Sequence, residues 1–143
     1  MIAVDTNLLV YAHRRDSEWH ERALGRLTEL AEGSQRWAIP WPCVHEFLAI
    51  VTHPRIYAPP SPTPTACDAL AVWIRSPGCR LIGEGPGYFE MLSEICHRAR
   101  LAGPMIHDAR IAAICLHHRV TELWTIDRDF SRFRGLRVVN PLG

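Results

Sequence analysis

Short apolar runs alternate with helical segments along the whole chain, and this alternation constrains the fold more than any other feature. Strands are predicted over residues 2–4, 37–39, 80–82, 123–126 and 136–139. Helices are predicted over residues 7–13, 18–31, 42–52, 65–75, 87–101 and 105–118, with a short helical turn over 128–133. Strands that alternate with helices form a mostly parallel sheet with right-handed crossovers. We therefore expect an α/β fold, built as one domain over residues 1–143 because that length is typical of a single domain.

One helix and the loop after it have unusual compositions. The helix predicted over residues 42–52 is apolar on nearly all sides, so we expect it to be buried. Pro42 suits its first turn, and Pro54 blocks its continuation. The segment from Pro54 to Pro64 contains five prolines in eleven residues, which predicts an exposed and fairly stiff loop.

Composition excludes several classes of function. The net charge of +1 argues against nucleic-acid binding through bulk positive charge. All 16 basic residues are arginine, so no mechanism that needs a catalytic lysine is possible. Five cysteines without a C-x-x-C pair predict reduced thiols. Because the chain shows no signal peptide and no apolar segment of 18 residues, we expect a cytoplasmic protein that is not bound to a membrane.

Four carboxylates lie in unusually apolar surroundings: Asp5, Glu46, Asp108 and Asp127. Asp5 and Asp127 directly follow predicted strands, at the edge where parallel sheets bind ligands. Glu46 and Asp108 lie in apolar helices, and Asp108 belongs to a first turn, where the helix dipole favours negative charge. A buried acid is rare unless it is paired or binds a metal ion.

If these four acids converge, they repel one another. Two charges about 4 Å apart cost about 4 kcal/mol at an effective dielectric constant of about 20. Oxygen ligands without a convergent His or Cys suit hard cations, so we predict Mg²⁺ (or Mn²⁺) as the cofactor. One or two such ions can activate water and stabilise charge on a phosphodiester.

Each acid also has a simpler structural interpretation. Asp5 could cap the first helix, Glu46 could pair with an arginine, and Asp108 could be an ordinary first-turn acid. Asp127 and Asp129 could belong to a turn, and for Asp129 this interpretation is preferred. Thr6 and Asn7 are candidate supporting residues of the site, with helix capping as the alternative. Arg110 and Arg128 are candidate ligands for RNA phosphates, with a plain surface role as the alternative.

Four motifs together resemble a known family. Ile2–Asn7 is similar to the opening strand and D-[ST]-[NS] motif of PIN-domain proteins. His45–Phe47 and His107–Ala109 resemble the family's second and third acids. Thr125–Phe130 resembles its T-x-D-x-D-F motif. The order, the spacing and the total length resemble the VapC-type toxins of bacterial toxin–antitoxin pairs.

The resemblance implies a metal-dependent ribonuclease with a PIN-like three-layer α/β/α sandwich and a mostly parallel central sheet. Its acidic quartet around Mg²⁺ (or Mn²⁺) would be Asp5, Glu46, Asp108 and Asp127. Asp5 and Asp108 match the positions tied most directly to the metal. The resemblance implies that supporting roles fall to Thr6, Asn7, Thr125 and Asp129.

The resemblance also implies partners. VapC-type toxins act on RNA, form homodimers and are neutralised by a VapB-type antitoxin. Trp19, Trp41 and Trp73 are candidate antitoxin contacts, with core positions as the alternative.

Two other phosphate-processing folds also place an Asp after the first strand. A receiver domain or a haloacid-dehalogenase-type phosphatase would require a lysine, which the chain lacks. A catalytically silent PIN-like module that binds RNA or a partner stays open as the alternative.

Overall fold

Five parallel strands form the centre of the molecule. The structure is a computed structural model that describes residues 1–143, and its strands are β1 (Ile2–Val4), β2 (Trp37–Pro40), β3 (Cys79–Ile82), β4 (Glu122–Trp124) and β5 (Arg137–Val139). They lie in the order β3-β2-β1-β4-β5, and every neighbouring pair is parallel. The predicted α/β class with a parallel sheet is confirmed.

The connections consist almost entirely of helices. These are α1 (Thr6–His13), α2 (His20–Glu32), α3 (Trp41–Val51), α4 (Thr63–Ile74), α5 (Tyr88–Ala99), α6 (Met105–His117) and a 3-10 helix (Arg128–Arg132). Every element agrees with its predicted boundaries to within two residues. None of the helices combines the length and apolar character that a bilayer span requires.

The sheet has one point where the direction of chain progression reverses. Strands β1 to β3 proceed to one side, and the chain then returns to place β4 on the other side of β1. Right-handed crossovers therefore put α1–α4 on one face and α5–α6 on the other. The crevice between the carboxyl ends of β1 and β4 is the topological switch point, where such sheets bind ligands.

The register of β1 and β4 brings two polar residues together at this crevice. Val4 pairs with Trp124, so Asp5 and Thr125 follow as neighbours at the carboxyl edge. The Asp5 N–H donates to the Trp124 carbonyl at 3.0 Å, which extends the pairing beyond β1. This register fixes the backbone on both sides of the crevice.

Helix α3 is buried on one face only, and the prediction that it is buried on nearly all sides is wrong. It packs against α1 and α4, while its other face lines a surface groove. The buried residues are Pro42, Cys43, Val44, Phe47 and Val51, and the exposed ones are Trp41, His45, Glu46 and Ala49. Glu46 therefore faces the groove and not the interior.

The buried face of α3 is held by aromatic packing. The fully buried ring of Phe47 lies edge-on to Trp73 of α4, with 5.9 Å between ring centroids. It also lies edge-on to His13 of α1 at 5.4 Å. Since edge-to-face pairs are favourable, α1, α3 and α4 form one packed unit. The exposed face of α3 is thereby held in a fixed position relative to β1.

The proline-rich segment is exposed as predicted, but one residue anchors it. Ser61 is buried, and its backbone N–H donates to the Val51 carbonyl at 2.7 Å. Its Oγ lies 2.8 Å from Nε2 of His13 and accepts from Nη1 of Arg14 at 3.2 Å. The Arg14 guanidinium also stacks on the Tyr57 ring. The segment is thus fixed to the carboxyl end of α1.

Candidate active site

The four predicted acids line one small cavity at the switch point. The cavity measures about 140 Å³. Its walls are Asp5, Glu46, Asp108 and Asp127 together with Thr6, Asn7, Ile50, Ile111 and Phe130. One acid each comes from the residue that follows β1, from α3, from α6 and from the segment after β4. Residues that are distant in the chain are therefore brought to one place by the parallel sheet and its crossovers.

Asp5 is the most deeply buried of the four acids, with 5% of its surface exposed. Its Oδ1 accepts from the Thr6 N–H at 2.8 Å and from the Cys43 thiol at 3.6 Å. Its Oδ2 accepts from the Thr125 hydroxyl at 2.8 Å and from Nδ2 of Asn7 at 3.4 Å. Asp5 thus caps α1, as one interpretation predicted, and also lines the acidic cavity.

Burial dominates the protonation of Asp5 and its neighbour. Loss of water raises the pKa of Asp5 despite its hydrogen bonds, and the charge on Asp127 raises it further. Burial, followed by the charge on Asp5, raises the pKa of Cys43 well above 9.0. The Cys43 thiol therefore keeps its proton and can donate it to Asp5. Cys43 was not predicted as a site residue, although it shares a helix face with Glu46.

The hydroxyl of Thr125 is fully used in hydrogen bonding. It donates to Oδ2 of Asp5 at 2.8 Å, and it accepts from Nδ2 of Asn7 at 3.1 Å and from the Asp127 N–H at 3.0 Å. A hydroxyl has one proton and two lone pairs, so no capacity remains. Asn7 also accepts from the Ile126 N–H at 3.4 Å. The ends of β1 and β4 are thus joined through side chains as well as through the backbone.

A tight group of three acids lies at one side of the cavity. One carboxylate oxygen each from Asp108, Asp127 and Asp129 lies within 4.8 Å of the other two. Asp127 caps the 3-10 helix by accepting from the Asp129 N–H at 2.9 Å. Asp129 is exposed, and its Oδ1 lies 3.8 Å from Nη2 of Arg132 in a loose salt bridge, while Nε of Arg132 donates to the Asp129 carbonyl at 3.0 Å. The interpretation preferred for Asp129 from the sequence was an ordinary turn residue. In the structure its carboxylate lies beside those of Asp108 and Asp127.

The charges of the cavity acids are only partly offset by nearby positive groups, Arg132 and His107. Burial, then the charges on Asp5 and Asp108, raises the pKa of Glu46. Burial, then the charges on Asp127 and Asp129, raises the pKa of Asp108. None of the four cavity acids forms a salt bridge, so the arginine partner considered for Glu46 is absent.

These residues fit a hard divalent cation. Ligand oxygens on opposite sides of one such cation lie about 4–5 Å apart, because each bond measures about 2.0–2.6 Å. The spacing of Asp108, Asp127 and Asp129 falls within this range. The Thr6 hydroxyl is buried at the same cavity and has no hydrogen-bond partner, although a buried hydroxyl normally requires one. A cation with its coordinated water would satisfy both features.

The two candidate phosphate ligands differ in their surroundings. Nε of Arg110 donates to Glu84 at 2.6 Å, which fixes the guanidinium at the rim of a second groove of about 520 Å³. This groove adjoins the acidic cavity through Glu46 and Asp108. Arg128 is exposed and pairs with no carboxylate. Both guanidinium groups are accessible to a polyanion.

The three tryptophans proposed as antitoxin contacts differ in exposure. Trp73 belongs to the core, Trp19 is half-buried, and Trp41 is 42% exposed.

A cleft of about 470 Å³ was not predicted, and none of the four acids lines it. Its lining residues are Met91, Glu94, Ile95, Arg98, Ala99, Leu116, Arg132, Phe133 and Arg134. The periodic apolar residues of α5 were the signal for this cleft.

Comparison with known proteins agrees with the motifs. A sequence profile of the PIN domain matches residues 2–136. Ribonuclease VapC43 of Mycobacterium tuberculosis is 32% identical over 142 residues, which cover 99% of this chain and 96% of the relative. Ribonuclease VapC48 of the same species is 28% identical over 137 residues, covering 96% and 94%.

A solved structure shows the same fold. One chain of VapBC2 from Rickettsia felis, crystallised with a DNA fragment from its promoter, superimposes with a TM-score of 0.70 at 18% sequence identity. The match covers 97% of this chain and 98% of that chain. The three-layer α/β/α fold is therefore confirmed, as is the resemblance that the four motifs suggested. This chain belongs to the PIN-domain family and, within it, to the VapC ribonucleases, the toxin nucleases of toxin–antitoxin pairs.

Proposed function

We propose that this chain hydrolyses RNA phosphodiester bonds with Mg²⁺ or Mn²⁺ held by Asp5, Glu46, Asp108 and Asp127. One observation carries the proposal: four carboxylates line one cavity at the switch point, and none of them forms a salt bridge. Such an arrangement is unfavourable without bound cations. Membership of the VapC ribonucleases supports the choice of RNA as substrate.

The acids have different proposed roles. Asp108, Asp127 and Asp129 would hold the cation together, because one carboxylate oxygen from each lies within 4.8 Å of the other two. Asp5 would complete the ligand set, because its two oxygens are held in place by hydrogen bonds from Thr6, the first residue of α1, and from Thr125, which follows β4. A bound Mg²⁺ or Mn²⁺ supplies Lewis acidity toward a phosphate oxygen and toward water.

Glu46 is the proposed general base. It lies where the cavity opens to the groove, so water can approach its carboxylate beside the proposed cation. In the hydrolysis, the oxygen of a water molecule attacks phosphorus while the bond from phosphorus to the leaving oxygen breaks. Glu46 accepts the proton of the water. Arg110 and Arg128 are the proposed ligands for flanking phosphates, which guanidinium groups bind through two parallel hydrogen bonds.

Thr6, Asn7 and Thr125 are proposed positioning residues. Asn7 and Thr125 hold Asp5 and the segment before Asp127 in one network. The unpartnered hydroxyl of Thr6 faces the same cavity. A catalytically silent module is not favoured, because it would carry the destabilising cluster of charges without using it.

The proposed partners are a VapB-type antitoxin and a second copy of this chain, in the cytoplasm. The apolar cleft at α5 suits the antitoxin, because Arg98, Arg132 and Arg134 surround apolar walls. An apolar segment that carries acidic residues would match both its shape and its charge. Arg134 forms no salt bridge, so its charge is free to attract such a segment.

Replacement of a cavity acid is expected to abolish RNA cleavage. In Asp5→Asn and Asp108→Asn, cleavage of cellular RNA with Mg²⁺ or Mn²⁺ should fall at least about a hundredfold, because a ligand is lost. Asp108→Asn should also melt at a higher temperature, since the charge on Asp108 is unfavourable in the folded protein. The matched control is Asp68→Asn, which alters an exposed acid far from the site. Full activity in both cavity variants would disprove the site, and wild-type cleavage in excess chelator would disprove the metal.

Divalent cations are expected to stabilise the protein increasingly as pH rises. Raised pKa values mean that Asp5, Glu46 and Asp108 hold protons more tightly in the folded state than in the unfolded chain. Their contribution to stability is therefore lost as pH rises from the ordinary values of 3.8 and 4.5 through the raised values. A cation that binds the deprotonated acids opposes this loss, by about 2.7 kcal/mol at a hundred times its Kd. Melting curves with Mn²⁺ or with K⁺ at equal ionic strength test this, and a shift independent of pH would contradict it.

Removal of the Thr125 hydroxyl is expected to disturb Asp5 specifically. Thr125→Val keeps the shape but removes the donor to Asp5, which should lower the free energy of unfolding by about 1–3 kcal/mol. The pKa of Asp5 should rise, because the hydrogen bond from Thr125 lowers it. The acidic limb of the pH–rate profile for cleavage should then move to higher pH, while Thr125→Ser should restore it. An unchanged profile in Thr125→Val would show that the hydroxyl does not position Asp5.

Reversal of charge at the cleft is expected to weaken antitoxin binding. Arg134→Glu should lower the affinity of the antitoxin about tenfold, since like charges across an interface are repulsive. Arg75→Glu, at an exposed position outside the cleft, should bind as wild type does. Titration calorimetry measures both, and RNA cleavage by the free variants verifies their folding. Equal affinities would place the antitoxin elsewhere.

A further inference from the structure

A polar groove leads out of the acidic cavity between α3 and α6. Its volume is about 520 Å³, which lies within the range typical of ligand sites. It shares Glu46, Asp108 and Ile111 with the acidic cavity, so the two form one continuous surface. Any polymer that places a phosphate at the acids can continue into this groove.

An exposed tryptophan lies beside the groove. Trp41 is 42% exposed, whereas Trp37, Trp73 and Trp124 are buried and Trp19 is half-buried. An exposed indole beside a polar groove offers a π-face on which a nucleic-acid base can stack. Trp41 is therefore the most exposed tryptophan of the chain.

The position of the Trp41 ring is fixed by its neighbours. A Cβ at position 83 would lie 3.1 Å from Cδ1 of Trp41, so Gly83 permits the ring to approach the backbone closely. The ring also lies 6.1 Å from the His45 ring between centroids, with the two planes tilted by 40°. A ring held in this way binds with little loss of side-chain entropy.

The spacing along α3 suits a nucleotide next to the acids. Trp41 precedes Glu46 by five residues, which is about 7.5 Å along the helix axis and about 140° around it. His45, which lines the groove, projects between these two directions. A nucleotide whose phosphate lies at the cavity can place its base at this distance.

The groove offers hydrogen-bonding groups for the backbone of such a nucleotide. Nδ1 of His45 donates to the Trp41 carbonyl at 3.0 Å, because a carbonyl can only accept. In the neutral ring Nε2 is then an acceptor, which suits a ribose hydroxyl. His107 is exposed on the opposite wall. Arg110 binds Glu84 through Nε, which leaves its terminal nitrogens free for a phosphate.

We infer that Trp41 is the stacking platform for the base of an RNA nucleotide adjacent to the scissile phosphate, with the RNA backbone running past His45 and His107. This inference rests on the proposed ribonuclease function. Every base has a π-face, so stacking on Trp41 tolerates different sequences. Single-stranded RNA fits better than a peptide, because the lining is mostly polar and an apolar cleft exists elsewhere.

Binding of labelled single-stranded RNA tests the inference. All proteins carry Asp108→Asn, so that a fluorescein-labelled RNA of mixed sequence stays intact during anisotropy titrations. Trp41→Ala should weaken binding between about fivefold and about a hundredfold, the range for loss of one stacked base. Trp41→Leu keeps the apolar bulk but lacks a π-face and should bind as weakly, whereas Trp41→Phe should retain most of the affinity. Phe89→Ala, which removes an exposed aromatic ring on α5, should bind as the parent protein does.

A second measurement uses the RNA and leaves the protein unchanged. Removal of single bases in turn from the RNA should identify one position, next to the cleavage site, whose loss weakens binding as much as Trp41→Ala does. At that position the Trp41→Ala protein should show no further loss, because the two partners of one contact are not additive. Additive losses at every position would overturn the inference.

The remaining outcomes separate this inference from the proposed function. A wild-type protein that cuts no RNA with either ion overturns both. Normal cleavage by the wild type, with equal RNA affinity in the Trp41→Leu and parent proteins, overturns the role of Trp41 alone. If Trp41→Leu weakens antitoxin binding and leaves RNA affinity unchanged, the ring is a protein contact and the inference is wrong.

Discussion

The hydrogen bond from Thr125 to Asp5 is the contact on which the site depends. It spans 2.8 Å between residues that are 120 positions apart, and both are buried. It exists because Val4 pairs with Trp124 in the parallel sheet. A slip of one residue would turn Thr125 to the opposite face of the sheet and leave Asp5 without this donor. The register of two short strands therefore sets the position of the most buried carboxylate, and that carboxylate caps α1 in turn.

The sequence predicts the fold well because the strands of a parallel sheet are covered on both faces. Such strands are short continuous apolar runs, and Ile2–Val4 and Trp37–Pro40 are clear examples. Helix α3 is the exception. Trp41 and Ala49 are apolar in type, but their exposure depends on which elements pack against the helix. The packing of other elements against α3 is a feature of the tertiary structure, and the spacing of apolar residues within the helix does not reveal it.

The site was predictable to the extent that its acids interrupt apolar sequence. Asp5, Glu46 and Asp108 stand out in this way, whereas Asp129 lies in a polar turn and resembles an ordinary surface residue. Only the return of the 3-10 helix toward α6 brings its carboxylate near Asp108. Cys43 was missed for the opposite reason, because a thiol in an apolar helix is indistinguishable from a core residue until its distance to Asp5 is known.

Clustered acids create a difficulty for a nuclease, because their negative charges repel the phosphates of the RNA that it must bind. On the proposed function, a bound cation reduces both the repulsion among the acids and the repulsion between the acids and the RNA. Cation and RNA must therefore increase each other's affinity. A net charge of +1 provides little general attraction for RNA. Arg110, already bonded to Glu84, adds only one local positive charge. Stacking on an uncharged ring such as Trp41 does not depend on neutralising the acids, and it therefore supplies binding energy that electrostatics cannot.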